Sequence, residues 1–169
     1  MLTFLKRVWP SRAPQRPAAK YILWSWAGGT IGIGLVAMIA HLSGYPLLMA
    51  PLGASAVLAF GVPDSPLAQP RNIVGGHVFT TIVGLTFLSF FGADWWVAGL
   101  AVGASITVMQ FTNTVHPPAG ANPLVVLATG AAWDYVFLPV ALSAAVLTVV
   151  AFLFNNIAPS RKPYPTFWY

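Results

Sequence analysis

The sequence predicts an all-α protein, a polytopic bundle of helices that crosses a membrane several times. Of its 169 residues, 57% are hydrophobic and 7% are charged, whereas roughly 25% of the residues of a soluble domain are charged. Four apolar runs are each long enough to span a hydrocarbon core, which takes about 20 helical residues. They cover residues 21–42, 73–91, 95–112 and 135–157, and tryptophan or tyrosine stands near their ends, as is typical of membrane interfaces.

The distribution of charge predicts the ends of the transmembrane domain and its orientation. Five of the eight lysines and arginines lie in residues 1–20, which we interpret as a basic N-terminal tail on the cytoplasmic side of a plasma (inner) membrane. The basic leader is also compatible with an organellar membrane. Residues 21–157 form the transmembrane domain, because the first apolar run is too long for a cleaved signal. Residues 158–169 form a C-terminal tail.

The same composition argues against several other classes of protein. The basic excess does not indicate nucleic-acid binding, because no groove-reading or stacking element accompanies it. There is no cysteine, and the three histidines lack carboxylate or cysteine neighbours, so we predict neither a metal site nor a cofactor. No nucleophile and base stand at a recognisable spacing, and we therefore expect no enzyme.

Two shorter apolar runs, residues 46–62 and 117–132, indicate an internal repeat. Each begins with proline and contains Pro-x-Gly-Ala, with the two prolines Pro51 and Pro118 separated by 67 positions. We predict one repeat over residues 21–91 and a second over residues 95–157. Each repeat contains a long helix, a short half-helix that begins at Pro-x-Gly-Ala, and a second long helix.

The number of membrane crossings decides how the repeats are related. If the short runs cross the membrane there are six crossings, and the second repeat is inverted. If the short runs are re-entrant there are four, and the repeats are parallel. Six crossings place Arg71 on the side of the basic tails and place Asp94 and Asp134 on the other side, so charge favours six.

Paired half-helices are the sequence feature that best locates a transporter site. Helix starts at Gly53 and Gly120 would expose backbone N–H groups and partial positive charge near the midplane, which suits one monovalent anion. The other interpretation is that Pro-x-Gly-Ala merely begins two closely packed helices. The predicted substrate-binding residues are Gly53, Ala54, Ser55, Asn113, His116, Gly120, Ala121 and Asn122.

The densest polar stretch, residues 112–123, contains no carboxylate. His116 within it could bind an anion, carry a proton or hydrogen-bond a neighbouring carbonyl. A polar stripe at helical spacing leads toward this stretch, although such side chains also serve to bond neighbouring helices. The predicted pathway residues are Thr107, Gln110, Thr114, Arg71 and His77.

These motifs resemble those of a known family. His116-Pro117-Pro118, within the segment from Asn113 to Ala121, is similar to the signature of the HPP family of integral membrane proteins. Residues 51–58, followed by residues 65–72 and Gly75-Gly76-His77, are similar to the family pattern at the same spacing. The resemblance covers about residues 20–157. The family is usually described with four spans, and some members are associated with nitrite transport, so the resemblance implies an anion carrier.

We therefore expect a transporter or channel for a small anion, nitrite or a similar monovalent ion, in the lipid bilayer. A pathway enclosed by so few helices would be thin-walled, so we also expect a homo-oligomer. Glycines spaced four apart, Gly28 with Gly32 and Gly99 with Gly103, allow close packing within the chain or between copies. The alternatives are a cation filter of backbone carbonyls and a membrane assembly or regulatory subunit that transports nothing.

Overall fold

Six α-helices account for most of the computed structural model, which describes residues 15–158 and 161–168. Across these residues there is no β-strand, which confirms the all-helical prediction. Most of the predicted basic tail, residues 1–14, lies outside the described residues. The helices are α1 (Ala19–Ser43), α2 (Ala50–Ala56), α3 (Pro70–Phe91), α4 (Trp95–Phe111), α5 (Asn122–Thr129) and α6 (Leu142–Ile157).

Short 3-10 and π-helical turns extend several of these helices. A π turn, Val57–Gly61, continues α2, and a 3-10 turn, Pro117–Ala121, leads into α5. Proline occupies the first turn of α2 and α3, where its missing N–H costs nothing. Gly44 and Gly130 end α1 and α5 with φ of 74° and 61°, a conformation that glycine adopts without strain.

Within the residues that the structure describes, three helical segments are long and apolar enough to cross a membrane. They are Ala19–Ser43, Pro70–Phe91 and Trp133–Ile157. The fourth predicted span, residues 95–112, is the 17-residue helix α4, which is about 26 Å long at 1.5 Å per residue. The prediction of four long spans is therefore not confirmed, since three segments have the required length and the fourth is shorter.

Contacts between helix ends show which ends lie together. The Tyr21 hydroxyl, near the start of α1, donates to the Gly61 carbonyl at 3.1 Å. Arg161, which follows α6, lies over the Tyr21 ring at 4.6 Å. Arg71, at the start of α3, donates to the Thr112 carbonyl beyond α4 at 2.7 Å. We call this end of the bundle, which carries Arg71 and Arg161, the basic end.

The two short helical segments run in opposite directions. The first, α2 with its π turn, finishes at the basic end. The second follows α4 and therefore starts from the basic end, and Val126 near its finish packs with Leu85 of α3 and with Val136. The second short segment therefore points the opposite way along the bundle from the first.

The helix contacts follow the same relation. Helix α1 packs against α6, and the corresponding helices of the other half, α4 and α3, also pack against each other. In the same way, α2 contacts α6 and its counterpart α5 contacts α3. The two short segments contact each other, and so do α3 and α6. If each helix of residues 21–91 is exchanged with the corresponding helix of residues 95–157, the same set of helix contacts results.

Glycines permit the closest of these approaches. A Cβ added at Gly28 would lie 2.5 Å from the Phe60 ring, and Gly32 is packed against the same ring. On α3, a Cβ at Gly84 would lie 2.8 Å from Pro123 Cα. The Gly28 and Gly32 pair therefore packs within the chain, whereas Cβ atoms at Gly99 and Gly103 would meet nothing within 4 Å.

Candidate functional site

Four polar side chains from both halves of the chain meet in the interior. The Ser55 Oγ lies 2.8 Å from Nε2 of His77 and 2.8 Å from Nε2 of His116. The two imidazole rings are 5.2 Å apart and nearly edge to face, and Asn122 contacts the other side of His77. None of the four is more than 2% exposed. We call Ser55, His77, His116 and Asn122 the histidine cluster.

Each member of the histidine cluster is placed by a local feature of the sequence. Ser55 lies one turn after Pro51 in α2, and its hydroxyl is 3.1 Å from the Pro51 carbonyl. His116 is extended, with φ −138° and ψ 98°, because the residue before a proline is kept out of the helical region. Gly76 allows α3 to approach this extended residue, since a Cβ there would lie 2.8 Å from His116 Cβ.

Asn122 joins the start of α5 to α3. Its Nδ2 lies 2.9 Å from the His77 carbonyl, 3.1 Å from Thr80 Oγ1 and 3.0 Å from Thr81 Oγ1. His77 Nδ1 is 3.2 Å from Asn122 Oδ1 and 3.0 Å from Nδ2. The threonine hydroxyls donate to carbonyls of their own helix, so they accept from the carboxamide. Because a carbonyl only accepts, Nδ2 is the atom that faces His77 O.

The histidine cluster lies closer to the basic end than to the middle of the bundle. Helix α3 begins at Pro70 and is about 33 Å long. His77 lies about 10 Å along the helix axis from Pro70. The depth of the predicted site in the membrane stays a prediction, whereas along α3 this cluster lies about one third of the way from the basic end. The reason is that the second half-helix begins soon after α4 ends, so His116 is not carried far inward.

A recess opens at the basic end next to the histidine cluster. It has a volume of about 390 Å³, and we call it the mouth recess; its lining includes Pro66, Leu67, Arg71, Asn72, Asn113 and Val115. The Leu67 carbonyl is 2.7 Å from His116 Nδ1, so one residue borders both the recess and the cluster. The predicted residues Arg71 and Asn113 line this recess and do not touch the cluster, and Asn113 adopts a φ of 52°.

The starts of the two short helical segments lie side by side and line one groove. This short-helix groove has a volume of about 430 Å³, and its lining includes Ala50, Pro51, Ala54, Pro117, Pro118 and Ala121. The lining is apolar, and Cβ atoms added at Gly53 or Gly120 would meet nothing within 4 Å. The predicted binding residues Gly53, Ala54, Gly120 and Ala121 are therefore at or beside an open apolar groove.

The backbone donors expected at these helix starts are mostly absent or already used. The helical segments begin at Ala50 and Pro117, three residues before the glycines at which the sequence analysis placed them. Pro51, Pro117 and Pro118 have no N–H. The Ala119 N–H donates to the His116 carbonyl at 2.9 Å. The expectation of free N–H groups at Gly53 and Gly120 is therefore corrected, and side chains of the histidine cluster supply the donors of this region.

The predicted polar stripe on α4 does not reach the histidine cluster. Thr107 and Gln110 are exposed on the outer face of α4, and the Thr107 hydroxyl donates to a carbonyl of its own helix. Thr114 is buried against Gly75, with its hydroxyl 2.7 Å from that of Thr112. The stripe is interrupted because α4 ends at Phe111, and the helical spacing does not continue to Thr114.

Charged groups in the described ranges lie at the two ends of the bundle. The one ion pair in these ranges joins Lys162 Nζ to Asp64 Oδ2 at 2.8 Å, at the basic end, and this hydrogen bond raises the pKa of Lys162. Asp94 and Asp134 lie in the turns that precede α4 and α6, away from the basic end. No carboxylate in the described ranges hydrogen-bonds the histidine cluster.

The geometry limits what chemistry the histidine cluster can perform. Ser55, His77 and Asn122 have the hydrogen-bond distances of a nucleophile, a base and an orienting group. However, Ser55 is 0% exposed and a second histidine occupies its other side, so no substrate carbonyl can approach it in this conformation. Within residues 15–158 and 161–168, no group of three His, Cys, Asp or Glu side chains could hold a metal ion. The cluster is suited to donating hydrogen bonds and to sharing protons.

Sequence reasoning named every member of the histidine cluster without predicting that they meet. It also missed Thr80 and Thr81, which fix the Asn122 carboxamide. One available signal was the repeat itself, because Ser55 and Asn122 are separated by the same 67 positions as Pro51 and Pro118. Both side chains contact the same imidazole, that of His77.

Comparisons with known proteins identify relatives. A family model described as "HPP, transmembrane region" matches residues 14–165. Two transmembrane proteins of Dictyostelium discoideum are 37% and 39% identical to the chain over 94% of its length. The alignments cover 59% and 54% of those relatives, so the chain spans little more than half of their length. No solved structure matches the chain. The chain therefore belongs to the HPP family of transmembrane proteins.

Proposed function

We propose that the protein transports a small monovalent anion and that nitrite is the first anion to test. The observation that carries the proposal is the histidine cluster, in which two histidines, a serine and an asparagine are buried together without a carboxylate partner. The similarity to the HPP family adds support, since some of its members are associated with nitrite transport. The name of the matching family and those of the relatives specify no substrate.

The polar groups of the histidine cluster determine which sign of charge this interior can stabilise. An ion moved into an apolar medium loses its hydration, and the protein must replace it with oriented polar groups. Imidazole N–H, hydroxyl O–H and carboxamide N–H groups are donors. In this conformation each of them has a partner within the protein, so they stabilise a negative charge when they exchange that partner for the ion. A cation crossing the same region would find no carboxylate in hydrogen-bond contact with the cluster among the described residues. The cluster therefore favours an anion.

The mouth recess offers a route toward the histidine cluster. The Arg71 guanidinium lines the recess and donates to a backbone carbonyl, and it has no carboxylate partner among the described residues. A positive group at the mouth of a low-dielectric passage raises the local concentration of anions. The Leu67 carbonyl separates the recess from His116, so a small displacement of residues 66–68 would join the recess to the cluster.

We further propose six membrane crossings and an inverted repeat, with the basic end in the cytoplasm. The opposite directions of the two short segments and the exchanged helix contacts support this arrangement. The position of Arg71, Arg161 and Lys162 at one end agrees with the cytoplasmic excess of basic residues in membrane proteins. The membrane is proposed to be the plasma (inner) membrane.

We also propose that the functional unit is a homo-oligomer. The short-helix groove is apolar and open, and Gly99 and Gly103 leave an exposed face of α4 that another helix could approach closely. Mass measurement of the purified protein in a detergent micelle tests this proposal, and a single monomeric mass at all concentrations would contradict it.

Anion flux into liposomes tests the proposed function. Purified protein should take up nitrite, with nitrate, formate and bicarbonate compared under the same conditions. His116→Ala should lower the flux by roughly tenfold or more if the lost side chain contributed about 1.4 kcal/mol or more to the binding of the passing ion, since 1.4 kcal/mol is a factor of ten. The matched control is His41→Ala, at the exposed last turn of α1, which should keep the wild-type flux.

Two results would contradict the proposal. Flux of cations without flux of anions would refute the electrostatic argument. Flux equal to that of protein-free liposomes, for a protein that is folded, would favour the second candidate, a non-transporting assembly or regulatory subunit. The observation that keeps this candidate open is the length of the relatives, in which the transmembrane region is little more than half of the chain.

A further inference from the structure

We infer that the Ser55 hydroxyl is a two-position switch, whose hydrogen turns from His116 Nε2 to the Pro51 carbonyl when His116 gains a proton, and that the histidine cluster takes up this proton together with the anion. The co-transport of a proton rests on the proposed function, whereas the proton switch is a property of the cluster alone. The hydrogen-bond partners of the two imidazole rings and of the Ser55 hydroxyl determine which atom carries each of their hydrogens.

The Leu67 carbonyl fixes the first hydrogen. A carbonyl oxygen only accepts, so His116 Nδ1, at 2.7 Å, must carry a hydrogen and donate it. In the neutral ring, His116 Nε2 is then without hydrogen and acts as an acceptor. Its neighbour at 2.8 Å is the Ser55 hydroxyl, which therefore donates to His116.

The remaining assignments follow from this one. Ser55 has a single hydrogen, so its Oγ can only accept from His77 Nε2, at 2.8 Å. In the neutral ring, His77 Nδ1 is then bare, and the donor beside it is Asn122 Nδ2 at 3.0 Å, whose two hydrogens are shared among Nδ1, the His77 carbonyl and the two threonine hydroxyls. The two histidines are therefore opposite tautomers, with hydrogen on Nδ1 in His116 and on Nε2 in His77, and each ring nitrogen has a complementary partner.

A second acceptor beside Ser55 allows the cluster to accept one more proton. The Pro51 carbonyl lies 3.1 Å from Ser55 Oγ and receives no hydrogen from it in the neutral arrangement. When a weak acid or a hydronium ion gives up its proton, an N–H bond forms at His116 Nε2 and an O–H bond breaks in the donor. The Ser55 hydrogen then turns to Pro51 O, and Oγ accepts from both histidines. Each of these hydrogen bonds is kept or replaced, and the cluster gains one positive charge.

The surroundings of the histidine cluster do not neutralise that charge. Helix α2 contributes Ser55, the segment before α5 contributes His116, and α5 contributes Asn122. On α3 the charged residue nearest to His77 along the helix is Arg71, which is itself positive and bonded to Thr112. No aspartate in the described ranges contacts the cluster. An imidazolium buried without a counterion is strongly destabilised, so the proton and a monovalent anion should bind together.

Nitrogen-15 NMR of histidine-labelled protein in detergent micelles tests the switch without any substitution. The chain has three histidines, and exposed His41 serves as the reference. At neutral pH, one cluster histidine should carry hydrogen on Nδ1 and the other on Nε2. On acidification, one should become doubly protonated while the signals of both shift together, and because the anion stabilises the added charge this should occur at a higher pH when nitrite is added than without it. Identical tautomers, or signals that shift independently, would overturn the inference.

Ser55→Ala and Ser143→Ala separate the switch from a general packing effect. Ser143 is also fully buried, and its hydroxyl donates to the Leu47 carbonyl at 2.8 Å, but no histidine contacts it. In Ser55→Ala the joint shift of the two histidine signals should disappear, and Ser143→Ala should keep it. If Ser55→Ala does not fold, the tautomers of the wild-type protein still decide the question.

Proton movement in liposomes tests the coupling. An internal pH indicator should report about one proton per anion for the wild-type protein, as an uncompensated buried charge requires. The ratio should fall at least several-fold in Ser55→Ala and stay at the wild-type value in Ser143→Ala. An unchanged ratio in Ser55→Ala would overturn the role of Ser55. If NMR shows opposite tautomers but the liposomes show no anion flux, the proposed function and its proton coupling are contradicted. The switch at Ser55 is then still supported.

Discussion

Substitution by alanine is expected to affect the stability of the protein in opposite ways at Gly76 and at Gly53. A Cβ at Gly76 would lie 2.8 Å from His116 Cβ and 3.0 Å from the Thr114 carbonyl oxygen. Neither neighbour yields easily, because one atom is backbone and the other belongs to a residue held by the histidine cluster. At Gly53, in contrast, an added Cβ would meet nothing within 4 Å. Alanine therefore clashes at one glycine and is accommodated at the other.

The magnitude of the difference follows from two terms. Replacing glycine by alanine inside a helix contributes about 0.5–1 kcal/mol of stability, and this term applies to both sites. Overpacking a filled interior costs about 1–3 kcal/mol, and this term applies only to Gly76. We therefore expect Gly76→Ala to be less stable than Gly53→Ala by about 1–3 kcal/mol, and Gly53→Ala to be as stable as the wild-type protein or slightly more stable.

Unfolding by SDS in mixed micelles, followed by tryptophan fluorescence, measures both free energies. The comparison between the two variants cancels the common helix term and leaves the cost of the contact with the segment before α5. If Gly76→Ala and Gly53→Ala are equally stable, then α3 does not pack against His116 as described. The placement of the histidine cluster would then be wrong, because Gly76 precedes His77 directly.

Two further predictions concern topology and the basic end. Because the chain has no native cysteine, cysteines introduced singly at Asp94 and Asp134 should react with an impermeant thiol reagent from the side opposite to Arg71, and labelling of positions 134 and 71 from the same side would exclude six crossings. Arg161→Ala should lower the free energy of unfolding by at least about 1.5–3 kcal/mol, the contribution of a single charged hydrogen bond, because the guanidinium donates three partly buried hydrogen bonds. Lys162→Ala removes a solvent-exposed ion pair and should leave the free energy of unfolding unchanged. If Arg161→Ala and Lys162→Ala lower the free energy of unfolding equally, the Arg161 hydrogen bonds do not stabilise the basic end as described.

The candidate site was predictable as a set of residues, but its geometry was not. The polar stretch that contains His116 stands out in an apolar chain, and His77 stands out on α3 for the same reason. Their meeting point on Ser55 depends on segments far apart in sequence, since 22 and 61 residues separate Ser55 from the two histidines. Hydropathy and helical spacing describe neighbours along one helix and contain no information about such contacts.

The predicted polar stripe on α4 shows the limit of helical spacing most clearly. Thr107, Gln110 and Thr114 would share one face if α4 continued to residue 114. The helix ends at Phe111, and Asn113 turns the chain with a positive φ. Spacing predicts a shared face only within one uninterrupted helix, so Thr114 is buried while Thr107 and Gln110 face outward.

By itself the sequence determined that this protein is an all-helical membrane protein with apolar spans and two proline-initiated short helical segments. Those properties follow from composition and from local backbone preferences, which act over a few residues. Tertiary structure alone decided that the two short segments run in opposite directions, that α3 lies against His116 at Gly76, and that Ser55 joins His77 to His116. The physical reason is that hydrogen bonds inside a bundle are satisfied between helices, and the partner of each buried polar group is set by how the helices cross.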